Sequence, residues 1–142
     1  MATINRLTES LSVAPQLLPE DMAELAKAGF KTVINNRPDG ESEDQPSSAE
    51  LAAAAEAAGL EYAHQPVVGN NITDVDIDGF DAIVSLAEQP VLAFCRTGTR
   101  CTTLWALTQA DEQDNASILA TAEQAGYDLS QLAGRLDQRR GQ

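Results

Sequence analysis

Positive charge and aromatic side chains are scarce in this sequence. Nine Lys and Arg stand against 22 Asp and Glu, for a formal net charge of −13 and a pI near 4.2. That imbalance disfavours nucleic acid and anionic membrane surfaces as partners, because both repel an acidic chain. Aromatics are only 4 % of residues. A single histidine, His64, and no metal-ligand spacing argue against a zinc or iron centre, and no cofactor is expected. Two cysteines, Cys95 and Cys101, are too few for a secreted-type disulfide framework. No basic stretch followed by an apolar core opens the sequence, and no apolar run approaches a membrane span. The expectation is one domain over residues 1–142, in a reducing cytoplasm.

Against this background one stretch stands out, Cys95-Arg96-Thr97-Gly98-Thr99-Arg100-Cys101-Thr102. The apolar run 90–94 before it reads as a buried strand, and residues 101–109 read as an amphipathic helix. A cysteine at the end of a strand, a short loop and a helix start place backbone N–H groups around one small concavity, suited to an oxyanion. The positive helix end and a guanidinium lower a thiol pKa, and the thiolate is the nucleophile. Cys95 is therefore the candidate nucleophile, and Arg96, Thr97, Gly98, Thr99, Arg100 and Cys101 the candidate anion-binding loop. Gly98 permits a positive φ or a close approach, and Arg100 can chelate two oxygens of a tetrahedral anion.

Elsewhere strands and helices alternate. Residues 11–14, 31–35 and 61–65 read as strands, and helices follow Pro19, Ser47 and Thr73. Ser47 with Glu50 makes a capping box, and Asp74 and Asp76 sit in the first turn after Thr73. Helices over about 115–125 and 130–138 complete the chain. The order implies an α/β fold, a mostly parallel sheet of four or five short strands with helices on both faces. In such folds ligands bind beyond the carboxyl ends of the strands. Arg37, Asn70 and Asn71 are therefore rim candidates beside Cys95, with Arg37 balanced between that role and a solvated turn. His64 is expected to be half-buried in mid-strand, bonded to backbone and turned from the rim.

The element order and the Cys-x-x-Gly-x-Arg loop resemble the cysteine phosphatases of the small dual-specificity type. Residues 33–41 (Val-Ile-Asn-Asn-Arg-Pro-Asp-Gly-Glu), Gly59-Leu60-x-Tyr62, Pro66-Val67 and the Cys95 loop resemble more closely the beta-lactamase hydrolase-like protein, phosphatase-like domain family. The resemblance covers about residues 11–107 and implies a phosphatase-like fold with Cys95 as nucleophile. Its members are described as phosphatases, or as sulfurtransferases where linked to sulfide metabolism. Three departures matter. Phe94 stands where these phosphatases have histidine, only four residues separate Cys95 from Arg100, and the loop after the preceding strand offers no acid nearer than Asp74. The short loop resembles the active loop of rhodanese-type sulfurtransferases, which have another fold.

Three functions follow as expectations. The first is transfer of sulfane sulfur through a Cys95 persulfide to a thiol acceptor. A tight ring of N–H donors suits a single sulfur, and a good leaving group needs no acid. The alternative is phosphomonoester hydrolysis through a Cys95 phosphocysteine, with Arg100 on the oxygens and Asp74 as acid. The third is a non-catalytic anion-binding or redox module in which Cys101 resolves an oxidised Cys95. The substrate in each case is a small anion or sulfane-sulfur compound. The two thiols are expected to stay reduced, held apart by the fixed ends of the loop.

Overall fold

The computed structural model describes residues 2–141. Its elements are β1 (Asn5–Arg6), β2 (Leu11–Ala14), α1 (Asp21–Lys27), β3 (Thr32–Asn35), α2 (Ser48–Ala57), β4 (Glu61–His64), α3 (Asp74–Leu86), β5 (Val91–Phe94), α4 (Thr99–Thr108), α5 (Asn115–Gln124), a 3-10 turn (Ser130–Leu132) and α6 (Ala133–Arg140). One five-stranded sheet runs in the order β1-β2-β5-β3-β4. All neighbours are parallel except β1, which pairs antiparallel with β2 on the edge. This is the expected α/β fold, with β5 at the centre.

Side-chain alternation builds two cores, because successive residues of a strand point to opposite faces. Leu11, Val13, Ile34, Val91 and Ala93 face one side, where Ile77 and Phe80 of α3, Leu104 and Leu107 of α4, Ile118 of α5 and Leu136 of α6 cover them. Ala14, Val33, Leu92 and Phe94 face the other, under Met22 and Leu25 of α1 and Leu51 and Ala55 of α2. A sheet covered on both faces reads as continuous apolar strands, as β5 does. Phe94, at the position of the phosphatase histidine, is thus a fully buried core residue on the face away from Cys95, which packs in the first core.

The helix starts follow local chemistry. Ser47 and Glu50 form the capping box of α2, and Thr73 and Asp76 that of α3. Four differences from expectation are local. Strand β1 carries no apolar pattern; its two residues are held by pairing with Val13 and Ser12. Helix α4 begins at Thr99, two residues early, because Gly98 takes a left-handed conformation (φ 93°) and caps it. Helix α1 begins at Asp21, after a turn in which Met22 N–H bonds the Pro19 carbonyl. The last helix is split into the 3-10 turn and α6.

Register brings the functional loops to one rim. Ala14 pairs with Phe94, Phe94 with Asn35, and Asn35 with His64, so four strands end level. The pairing continues beyond them: Asn36 N–H bonds Phe94 O at 2.9 Å, Gln16 N–H bonds Arg96 O at 3.1 Å, and Val67 N–H bonds Asn36 O at 3.0 Å.

Candidate active site

Strand β5 delivers Cys95 to this rim, and the left-handed Gly98 turns the chain into α4 within three residues. The turn folds back on the sulfur: Gly98 N–H donates to Cys95 Sγ at 3.1 Å. The Cys101 thiol donates to Asn36 Oδ1 at 3.2 Å, and it and the N–H groups of Cys101 and Arg100 favour the ionised Cys95 sulfur. Burial opposes the charged form, but the Cys101 thiol, the largest influence, and these N–H groups outweigh it and lower the Cys95 thiol to about 6. Cys101 is shifted the other way, well above an ordinary thiol, chiefly by complete burial and then by the Cys95 charge it hydrogen-bonds. One sulfur is thus a thiolate at neutral pH and the other its proton donor. Both are free thiols, and they are not held apart as expected: each shifts the titration of the other.

The Gly98 N–H is therefore directed at the Cys95 sulfur. Thr99 N–H is used locally, donating to Thr97 Oγ1 at 3.3 Å. Tyr127, from the turn after α5, supports the loop from outside. Its hydroxyl donates to Thr97 O at 3.1 Å and accepts from Asn5 Nδ2 of β1 at 2.9 Å. A Cβ on Gly98 would collide with that hydroxyl, so glycine is required there for space as well as for φ.

A cavity of about 310 Å3 opens over Cys95, lined by Gly69, Ile72, Arg96, Thr97, Thr99, Arg100 and Thr103. Arg100 is held across one wall. Its Nη1 donates to Val67 O at 3.0 Å and to Glu41 Oε2 at 3.2 Å, and its Nη2 to Glu41 Oε1 at 3.3 Å. Its Nε is buried without a hydrogen-bond partner, packed against Gly69. Leaving such a buried donor unpaired costs about 1–3 kcal/mol.

Glu41 ties Arg100 to Arg37, whose Nε donates to the same carboxylate at 2.8 Å. Burial alone would raise the Glu41 pKa, but hydrogen bonds from Arg37 and Arg100, with their charges, bring it below the ordinary value. Glu41 is therefore a fixed anion and not a proton donor at neutral pH. The solvated-turn reading of Arg37 does not hold: it is 4 % exposed, with Nη1 on Gln16 Oε1 and Nη2 on Ser42 Oγ. A second cavity, sharing Gly69, Arg96 and Arg100 with the first, is lined by Arg37, Glu41, Ser42, Val68 and Asn70. Asn70 therefore lines the second cavity but not the one over Cys95, and Asn71 is exposed and lines neither.

Asp74 is placed elsewhere. It stands exposed at the start of α3, with Oδ1 3.3 Å from Arg139 Nη1, and lines neither cavity. Asp78 holds the same guanidinium at 3.1 Å. His64 does bond backbone, its Nε2 donating to Arg37 O at 3.0 Å. It is exposed and ends its strand, so it sits on the rim and not in mid-strand as expected.

Sequence reading missed Asn36, Glu41 and Tyr127. Asn36 is fully buried; its Nδ2 donates to Gln65 O and Gln65 Oε1, both at 3.0 Å, which turns Oδ1 to accept from the Cys101 thiol at 3.2 Å. Its position directly after a buried strand was the available signal. Arg37 lies only four residues before Glu41, but Arg100 and the Tyr127 partners Asn5 and Thr97 lie too far along the chain to be read from spacing. Among the described residues no group of three or more His, Cys, Asp or Glu could hold a metal ion. No helix among them is long and apolar enough to cross a membrane.

Known proteins resemble this chain over most of its length. A beta-lactamase hydrolase-like protein from Agrobacterium fabrum is 44 % identical over 105 residues, covering 74 % of this chain and 24 % of that protein. The chain thus spans about a quarter of that relative's length. A crystal structure of a "putative phosphatase" from Neisseria meningitidis superposes with a TM-score of 0.89 and 41 % identity, over 96 % of this chain and 98 % of the other. Pseudomonas aeruginosa TpbA, at 18 % identity and a TM-score of 0.71 over 96 % of this chain and 87–88 % of its own, shares the fold. Residues 3–112 match the family described as beta-lactamase hydrolase-like protein, phosphatase-like domain, and with the Cys95 loop and the cysteine phosphatase-like fold in view, the chain belongs to that family.

Proposed function

We propose that the chain is a cysteine-dependent phosphoryl hydrolase that works through a Cys95 phosphocysteine on a small phosphorylated anion. The observation that carries this is one cavity lined by both Cys95, its thiol lowered to about 6, and the positively charged Arg100. The phosphatase-like fold of the Neisseria relative supports it.

In this reading Cys95 Sγ attacks phosphorus in line with the leaving oxygen while Arg100 binds the equatorial oxygens. Glu41 fixes the guanidinium so that it need not reorganise as charge develops. Water then cleaves the phosphocysteine, and the returning thiolate is received by the Cys101 thiol and the N–H groups of Gly98, Arg100 and Cys101. Rapid-quench mass spectrometry tests it. Phosphocysteine should form at Cys95 with p-nitrophenyl phosphate and be absent from Cys95→Ser; turnover without that adduct removes the mechanism.

Sulfane-sulfur transfer is the second reading. It is favoured by the lack of a carboxylic acid lining the Cys95 cavity, since a sulfite or thiolate leaving group needs none. Thiocyanate formed from thiosulfate and cyanide, with no phosphate from aryl esters, would put it first.

A further inference from the structure

Resting on the hydrolase reading, we propose that the substrate is a phosphoanhydride, its terminal phosphoryl group over Cys95 and its inner phosphate in the adjoining arginine-lined cavity. Two independent observations lead there. First, no carboxylic acid near the sulfur is placed to protonate a leaving group. The Cys95 cavity has no carboxylate; Glu41, the only one in its neighbour, is held ionised by two guanidinium groups. Asp74 is paired with Arg139 outside both cavities. A positioned acid is worth about 10²–10⁴-fold to an ester whose alkoxide leaves badly. A phosphate leaving group, whose second ionisation lies near about 6, departs as a stable anion without one.

Second, the site continues beyond the first anion position. Arg37, Arg96 and Arg100 line the second cavity with Glu41 as its sole carboxylate, a net of two positive charges in a chain of net charge −13. Arg96 is exposed, borders both cavities and joins none of the ion pairs among the described residues. Its guanidinium is free to take a charge that appears between the cavities, which is where the bridging oxygen of an anhydride lies. There Arg96 stabilises by charge what an acid would stabilise by a proton.

The step balances without a co-reactant other than water. The Cys95 Sγ–P bond forms as the bridging P–O bond breaks, and the electron pair leaves on the oxygen of the inner phosphate. Water attacks the phosphocysteine, the S–P bond breaks with its pair returning to sulfur, and the proton released goes to solvent.

The test compares inorganic tripolyphosphate, p-nitrophenyl phosphate and glycerol phosphate as substrates, following phosphate release with wild type and Arg96→Ala. Tripolyphosphate should exceed glycerol phosphate in kcat/KM by at least about 100-fold, the low end of what an acid would otherwise supply. Arg96→Ala should lower the ratio of tripolyphosphate to p-nitrophenyl phosphate kcat/KM by about 10-fold, the scale of one charge-assisted hydrogen bond. Equal use of glycerol phosphate, or an equal loss on both other substrates in Arg96→Ala, overturns the proposal. Aryl ester hydrolysis without tripolyphosphate hydrolysis overturns it and leaves the hydrolase reading standing. No phosphate from any substrate and no phosphocysteine sinks both.

Discussion

The Cys101 thiol has one proton and two acceptors, Asn36 Oδ1 at 3.2 Å and the Cys95 sulfur. When Cys95 is ionised the charged acceptor is the stronger one. When Cys95 carries a phosphoryl group its sulfur accepts poorly, and Asn36 keeps the proton satisfied. Asn36 is in turn locked by its two bonds to Gln65. Cys95 thus has beside it a thiol proton that is never left unpaired in a fully buried position.

Removing that donor should weaken the nucleophile. In Cys101→Ala the Cys95 thiol should titrate above the wild-type value of about 6, while Cys101→Ser, which keeps an O–H, should stay near it. Iodoacetamide alkylation rate against pH reads this out. Labelling should fall on Cys95 in the wild type; preferential labelling of Cys101 would contradict the pairing.

Turnover should rise with pH through about 6, as Cys95 ionises, and then level off. With no acid at the cavity there is no group to impose a falling limb below pH 8. Asp74→Asn should retain the wild-type profile within about twofold, since its carboxylate serves Arg139. A bell-shaped kcat/KM profile that collapses in this variant would restore Asp74 as the acid.

The same thiolate should make stability depend on pH. Its folded pKa lies below the unfolded value, so the unfolded chain binds more protons between about pH 6 and 9 and stability rises with pH across that window. The contribution is complete above the unfolded value and lost as pH falls through about 6. Tm followed from pH 5.5 to 8 should climb in wild type and climb less in Cys95→Ser.

Glu41→Gln should lower kcat by about 10-fold or more, because one carboxylate orients both Arg100 and Arg37. A structural effect alone would leave the kcat of the folded fraction unchanged, so active-site titration with iodoacetate should accompany the rate. An unchanged kcat per titrated site would mean that Arg100 needs no partner.

Gly98→Ala should lose most activity and destabilise the fold by more than about 1 kcal/mol, since it forces a strained φ and a collision with Tyr127. Tyr127→Phe, which removes only the hydroxyl bonds to Asn5 and Thr97, should cost about 1 kcal/mol. Denaturant melts of the two variants check both.

Much of this was readable locally. Strands β2 to β5 announced themselves as short apolar or β-rich runs, and the caps of α2 and α3 lay in Ser47-x-x-Glu50 and Thr73-x-x-Asp76. Cys95 and its loop were legible because strand, glycine and helix start lie within ten residues. What escaped was set by distant partners. Arg37 looked like a turn residue until Gln16, 21 residues earlier, joined its neighbours Glu41 and Ser42 around it. Asp74 looked available as an acid until Arg139, 65 residues later, paired with it. The thiols were expected apart because loop ends look fixed in sequence, yet the left-handed residue at Gly98 brings them together.

The segment beyond the family match ends in contacts that reach the working loops. Tyr127 holds Thr97, the Arg135 guanidinium donates to Ile72 O on the cavity wall, and Ile118, Ala122 and Leu136 fill the core beneath α4. A chain emerging from the ribosome therefore carries Cys95 and its loop before it carries the clamp for them. Until α5 and α6 dock, Cys95 sits in an open loop beside uncovered apolar surface, so a version cut at residue 112 should be inactive and prone to aggregate.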